Sequence, residues 1–125
     1  MATIYLSGRD EFFAINLNLV VYMQADDHYT HIYMLSGFHF LVPYGLSKIE
    51  QMIRHLDDVS NVIRLGRKYI VNVYYIYHVN FVRSSVHLVD NQGKSIVLHI
   101  SKPVLRSLVE FMDKDSVKSS NETNL

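Results

Sequence analysis

Two adjacent cations, Arg67 and Lys68, follow Gly66 and stand between two strand-like runs, Val62–Leu65 and Tyr69–Val73. Side chains placed in a turn, outside the in–out alternation of a strand, reach solvent together and suit the neutralisation of phosphate or another anion. An ordinary solvated basic turn is the competing reading. The glycine would let the loop backbone approach a partner closely. Arg64 alternates with Ile63 and Leu65, so it can join the cations or brace the loop by pairing with a carboxylate. Lys102 stands at the expected start of a helix, where backbone N–H groups already favour an anion, and Arg106 follows one turn later. A solvated helix-start lysine is the alternative there.

The segment Asp26-Asp27-His28-Tyr29-Thr30-His31 supports several chemistries. His28, Thr30 and His31 carry donors for phosphates or base edges. Two histidines and an aspartate are also possible nitrogen and oxygen ligands for a metal, but the spacing is not diagnostic and no cysteine supports it. A polar turn capped by its aspartates is the plain alternative. No metal or other cofactor is expected. Catalysis is not expected either, because the chain has no cysteine, no Gly-x-Ser-x-Gly elbow and no Gly-rich phosphate loop. The carboxylate pair Asp57-Asp58 follows a helix and reads as a loop.

The elements that must position these residues are mostly strands. Runs at 3–7 and 11–16 form an opening hairpin around Ser7-Gly8-Arg9-Asp10. Leu19–Met23 is continuously apolar, as in a strand buried on both faces. Tyr29–Leu35 and Phe38–Val42 flank a Ser36-Gly37 turn. Leu46, Ile49, Met52, Ile53 and Leu56 share one helical face, with a capping box at Ser47-Lys48-Ile49-Glu50 and an end near Leu56. Residues 74–83 and 86–90 continue the strand pattern, turning near Ser84-Ser85, and Asp90–Gly93 turns into Ser95–Ile100. A last helix is expected from Lys102 to about Met112, capped by Ser101 with Pro103 in its first turn. Asn72 reads as a structural side chain that satisfies neighbouring backbone. The tyrosines Tyr22, Tyr29, Tyr33, Tyr69, Tyr74, Tyr75 and Tyr77 read as core and sheet-edge residues; a stacking platform for single strands would need several on one open face.

Composition bounds these readings. At 125 residues and 49% hydrophobic, the chain suits one packed domain. Residues 1–114 are expected to form it, and 115–125 to be a polar, disordered tail. The absence of cysteine fits a reducing compartment, and no apolar run is long enough to span a membrane, so a cytoplasmic protein with no membrane partner is expected. Twelve basic and twelve acidic residues give a formal net charge of +0, without the surplus common in nucleic-acid binders. What matters is the distribution of charge over the surface. The seven histidines add positive charge at mildly acidic pH.

The stretch Val62-Ile63-Arg64-Leu65-Gly66-Arg67-Lys68-Tyr69-Ile70-Val71-Asn72 resembles the signature of the LytTR family of DNA-binding domains, an Arg-x-His-Arg/Asn-Ser-type loop re-entering the sheet as Tyr/Phe-Ile/Val-Val-Asn. Val21–Ala25, the following Asp26–Tyr33, Leu46–Glu50 and Ile100-Ser101-Lys102 are similar to further family segments in the same order, and the resemblance spans residues 14–112. It implies a mainly β, elongated domain of several short antiparallel sheets with one or two small helices. It also implies a transcriptional regulator of bacterial type that binds duplex DNA by loops entering successive major grooves. Contacts would come from His28, Thr30 and His31, from Arg67 and Lys68, and from Lys102. The chain resembles a stand-alone member without a receiver domain, and a second copy on paired half-sites is a possible partner. Gly66 replaces a frequent histidine, Lys68 the usual serine, and Lys102 a common arginine. Lysine keeps phosphate attraction but lacks the fork that reads guanine, so the sequence recognised differs from the family norm. A protein-interaction module on the same fold, without DNA binding, is the alternative.

Overall fold

Apolar patterning of period two produces ten short strands among the described residues, and the computed structural model describes residues 2–59 and 61–123, with side chains described through residue 114. The first two strands, β1 (Thr3–Ser7) and β2 (Phe12–Asn16), form the expected hairpin. A five-stranded antiparallel sheet follows, built from β3 (Val20–Asp26), β4 (Tyr29–Met34), β5 (His39–Val42), β6 (Val62–Leu65) and β7 (Tyr69–Asn72), in the order β5-β4-β3-β7-β6. β8 (Ile76–Asn80), β9 (Ser85–Val89) and β10 (Ser95–His99) make a three-stranded antiparallel sheet. Two helices, α1 (Leu46–Arg54) and α2 (Lys102–Thr123), complete the described fold.

The five-stranded sheet is buried on both faces, which accounts for the unbroken apolar run in β3. Val20, Met23, Ile32 and Ile70 pack with the β1–β2 hairpin and with Leu46, Ile49 and Ile53 of α1. Val21, Tyr22, Leu65 and Val71 pack on the other face with Val86, Leu88 and Leu98 and with Leu105 and Leu108 of α2. Val21 and Tyr22 are successive yet share a cluster, because the β3–β4 register shifts between Val20 and Tyr22. Asn72 is structural as expected. Fully buried, it accepts from Asn61 Nδ2 at 3.0 Å and Tyr74 N at 3.1 Å, and donates to Leu17 O at 3.3 Å.

Three local expectations are corrected. The capping box at Ser47 and Glu50 does not form: Gly45 is the N-cap of α1, and both side chains turn instead to Arg64. A guanidinium offers a stronger, charge-assisted partner than the backbone N–H groups of the first turn. α1 ends at Arg54, short of Leu56, with His55 Nδ1 bonded to Gln51 O at 2.8 Å. α2 runs on to Thr123, past the expected end near Met112. The expected disordered tail, 115–125, lies outside the residues whose side chains are described.

Candidate nucleic-acid interface

One end of the five-stranded sheet collects the chemistry. The β6–β7 loop and the β3–β4 turn lie side by side there, because Gln24 pairs with Tyr69 and Ala25 N donates to Lys68 O at 2.8 Å. In the loop, Gly66 has φ +65. A Cβ added there would meet nothing within 4 Å of this chain, so within the fold the glycine serves the left-handed backbone. Histidine is among the residue types that tolerate this region best after glycine, so a frequent family histidine at this position is sterically compatible with it.

Three successive carbonyls of this loop are tied inward. Gly66 O accepts from Arg64 Nε at 2.9 Å and Arg67 O from Arg64 Nη2 at 2.9 Å, while Lys68 O is held by Ala25. Arg64 Nη1 in turn reaches Glu50 Oε1 at 3.0 Å and Ser47 Oγ at 3.3 Å. Of the two roles open to Arg64, the structure thus displays the bracing one. With their carbonyls engaged, Arg67 and Lys68 stand exposed, and neither forms an ion pair with any described residue.

The β3–β4 turn differs. Asp27 and His28 form its two-residue tip between the paired Asp26 and Tyr29, with Asp27 at φ +56. His28 is exposed and lies 3.7 Å from Asp27. Thr30 is 0% exposed and donates its hydroxyl to Tyr44 O at 2.7 Å, which removes it from the expected contacts. Its strand parity explains this: Thr30 shares a face with Ile32, which packs into the core. His31 is half-buried with both ring nitrogens engaged, Nε2 with Asp26 Oδ2 at 2.8 Å and Nδ1 with His39 Nε2 at 2.8 Å. It has no free donor for DNA in this arrangement. Among the described residues no group of three or more metal-ligating side chains is gathered.

Lys102 begins α2, where Ser101 O accepts from Leu105 N at 3.0 Å as the residue before a helix does. A shallow groove of about 270 Å³ joins this junction to the β6–β7 loop, with Arg67 and Lys68 on one wall and His99 and Ser101 on the other. Lys102 flanks a second, open cleft with Arg106, Phe81 and Val82. Lys102 and Arg106 are likewise exposed and form no ion pair among the described residues. Residues 66–68 and 101–102, more than thirty positions apart in sequence, therefore share one surface.

The turn expected near Ser84-Ser85 spans residues 81–84, with β8 ending at Asn80. Sequence reasoning did not single out its tip beside Lys102, where Val82 is 89% exposed. It also missed Glu50, whose local match to a capping box concealed a distant partner. The tyrosines mostly pack as expected: Tyr22 is buried, Tyr33, Tyr69 and Tyr75 are half-buried, and the exposed Tyr29, Tyr74 and Tyr77 lie on separate elements. Burial pushes the Tyr22 phenol up from its ordinary range, with the neighbouring Tyr33 adding to the effect.

A mainly β domain of antiparallel sheets that offers unpaired cations on loops has the make-up of a nucleic-acid-binding module. The family model described as the LytTr DNA-binding domain matches residues 10–113, and the chain belongs to that family. Among solved structures, a LytTr DNA-binding domain from Bacillus cereus is similar, with a TM-score of 0.61 at 20% identity over 90% of this chain and 97% of that chain. The fold is shared. No curated protein matches the chain in sequence. Among the described residues, no helix is long and apolar enough to cross a membrane.

Proposed function

We propose that residues 1–114 bind duplex DNA in a sequence-dependent way and regulate transcription, with loops from one end of the domain entering successive major grooves. The observation that carries this reading is the gathering of Arg67, Lys68 and Lys102, each exposed and without a carboxylate partner, along and beside one groove. A formal net charge of +0 does not oppose this reading, because the placement of charge decides, and these three cations lie outside the ion pairs formed among the described residues. A major groove about 12 Å wide is the space that the β6–β7 loop, at the end of its sheet, would enter. Arg67, Lys68 and Lys102 each supply charge for phosphate, and the planar fork of Arg67 also suits guanine O6 and N7. His28 at its exposed turn is the remaining candidate contact. Paired half-sites occupied by two copies fit this mode of regulation.

Binding to labelled duplexes across a salt series tests the reading. Affinity falls steeply as salt rises, and each of Arg67→Ala and Lys102→Ala reduces the slope of log affinity against log salt by about 0.9 if it removes one phosphate contact. Selection from randomised duplexes then returns a defined site. If neither random nor genomic duplexes bind at low salt, the domain is a protein-interaction module on the same fold.

A further inference from the structure

We propose that Arg64 and Glu50 form a positioning pair that holds the β6–β7 loop in its DNA-reading shape, so that an acidic residue on α1 strengthens the binding of an anion. The inference rests on the DNA-binding reading above. Its basis is a chain of contacts from helix to loop. Glu50 accepts from Arg64 Nη1 at 3.0 Å, leaving Nε and Nη2 directed at the carbonyls of Gly66 and Arg67, each at 2.9 Å. The side chains of Arg64 and Glu50 are only 20% and 22% exposed, which limits the water available to replace either partner.

The geometry assigns Arg64 a role unlike that of Arg67, its neighbour three residues on. All three nitrogens of its guanidinium are already used within the protein, so its charge is spent on Glu50 and on backbone oxygens. A peptide plane sets the direction of the Cα–Cβ bonds on either side of it. Fixing the carbonyls of Gly66 and Arg67 therefore narrows the directions from which the Arg67 and Lys68 side chains start. Released, these carbonyls turn to water, and the two cations remain present but lose their common direction. Non-specific attraction to phosphate survives that change, whereas base reading needs side chains held within about 0.5 Å of a productive position.

The test compares Arg64→Lys, Arg64→Ala, Glu50→Ala and, as a control, Arg54→Ala, measuring affinity for a selected site and for random duplex across a salt series. Arg64→Lys keeps the charge but cannot place donors at three separated nitrogens. It is expected to lose about tenfold in specific affinity, with random-duplex affinity within about twofold and an unchanged salt slope. Glu50→Ala removes a negative charge from a DNA binder, which Coulomb attraction alone would reward; the expected result is a specific affinity about fivefold lower. Arg54 meets the same Glu50 from the exposed side at 2.8 Å, and its loss is expected to leave the ratio of specific to random binding unchanged. Thermal melts accompany each variant, and Glu50→Ala carries the test if Arg64→Lys does not fold. Tighter binding by Glu50→Ala overturns the proposal, as does a salt slope that Arg64→Ala lowers by about 0.9 and Arg64→Lys restores, since Arg64 is then a phosphate contact. Wild-type protein that binds no duplex overturns the functional reading and this inference together, whereas failure of the variants alone removes only this one.

Discussion

The β6–β7 loop and the β3–β4 turn sit side by side at one end of a sheet, yet they present opposite chemistry. In the loop the backbone oxygens are tied inward and the cations of Arg67 and Lys68 are left without partners. In the turn the side chains carry the internal bonds. Thr30 is given to Tyr44, His31 lies between Asp26 and His39, and the carboxylate of Asp27 stands at the tip beside His28. A residue's type makes it eligible for a contact; whether its polar atoms are already engaged decides whether it is available. On this account the loop supplies the attraction to DNA and the turn mainly supplies shape.

The comparison can be sharpened by variants on each side. The largest effect is expected for Arg67→Ala combined with Lys68→Ala, which should lower the salt slope by about two and affinity near 0.1 M salt by at least about tenfold. A slope unchanged in the double variant would mean that the loop is not the attracting element. Thr30→Val should leave DNA affinity and slope at wild-type values while costing about 1 kcal/mol in denaturant unfolding, through the lost bond to Tyr44 O. A drop in affinity without a drop in stability would restore Thr30 as a contact. His28→Ala should change affinity less than about threefold, since a hydrogen bond from so exposed a side chain contributes little.

The smallest effect concerns the ring stack behind the turn, where Tyr22 lies on Tyr33 with centroids 4.3 Å apart and Tyr33 on His39 at 4.4 Å. Burial raises the Tyr22 phenol in the folded state, so the unfolded chain gives up this proton first as pH rises. The stability tied to that proton is fully present below the ordinary tyrosine value of about 10 and is lost above it. Tyr22→Phe should therefore flatten the alkaline decline in stability; an equal decline in both proteins would assign it to other groups.

Much of the fold could be read in the chain because it rests on short-range patterns. Period-two runs marked the strands, five apolar residues at helical spacing marked α1, and the placement of Arg67 and Lys68 in a turn marked them as exposed. Thr30 was also within reach of sequence, since its parity with Ile32 points it to the core, but chemistry-bearing type was weighed there above strand face. The engagement of His31 was not within reach, because His39 meets it across the β4–β5 pair. Nor was the fate of Glu50: a local capping pattern competed with Arg64, fourteen residues away, and lost. The groove joining residues 66–68 to 99–101 depends on how the two larger sheets pack, which no local spacing encodes.

The most direct test of the central claim, that one end of this domain meets DNA through the loop and the α2 junction, is an amide chemical-shift map on titration with a selected duplex. The account predicts the largest shifts at Gly66–Lys68 and Ser101–Lys102, smaller ones at Asp27–His28, and none at Asn18 and Tyr74, which adjoin the opposite ends of β3 and β7. Shifts centred on Asn18 and Tyr74, with the β6–β7 loop unmoved, would contradict it.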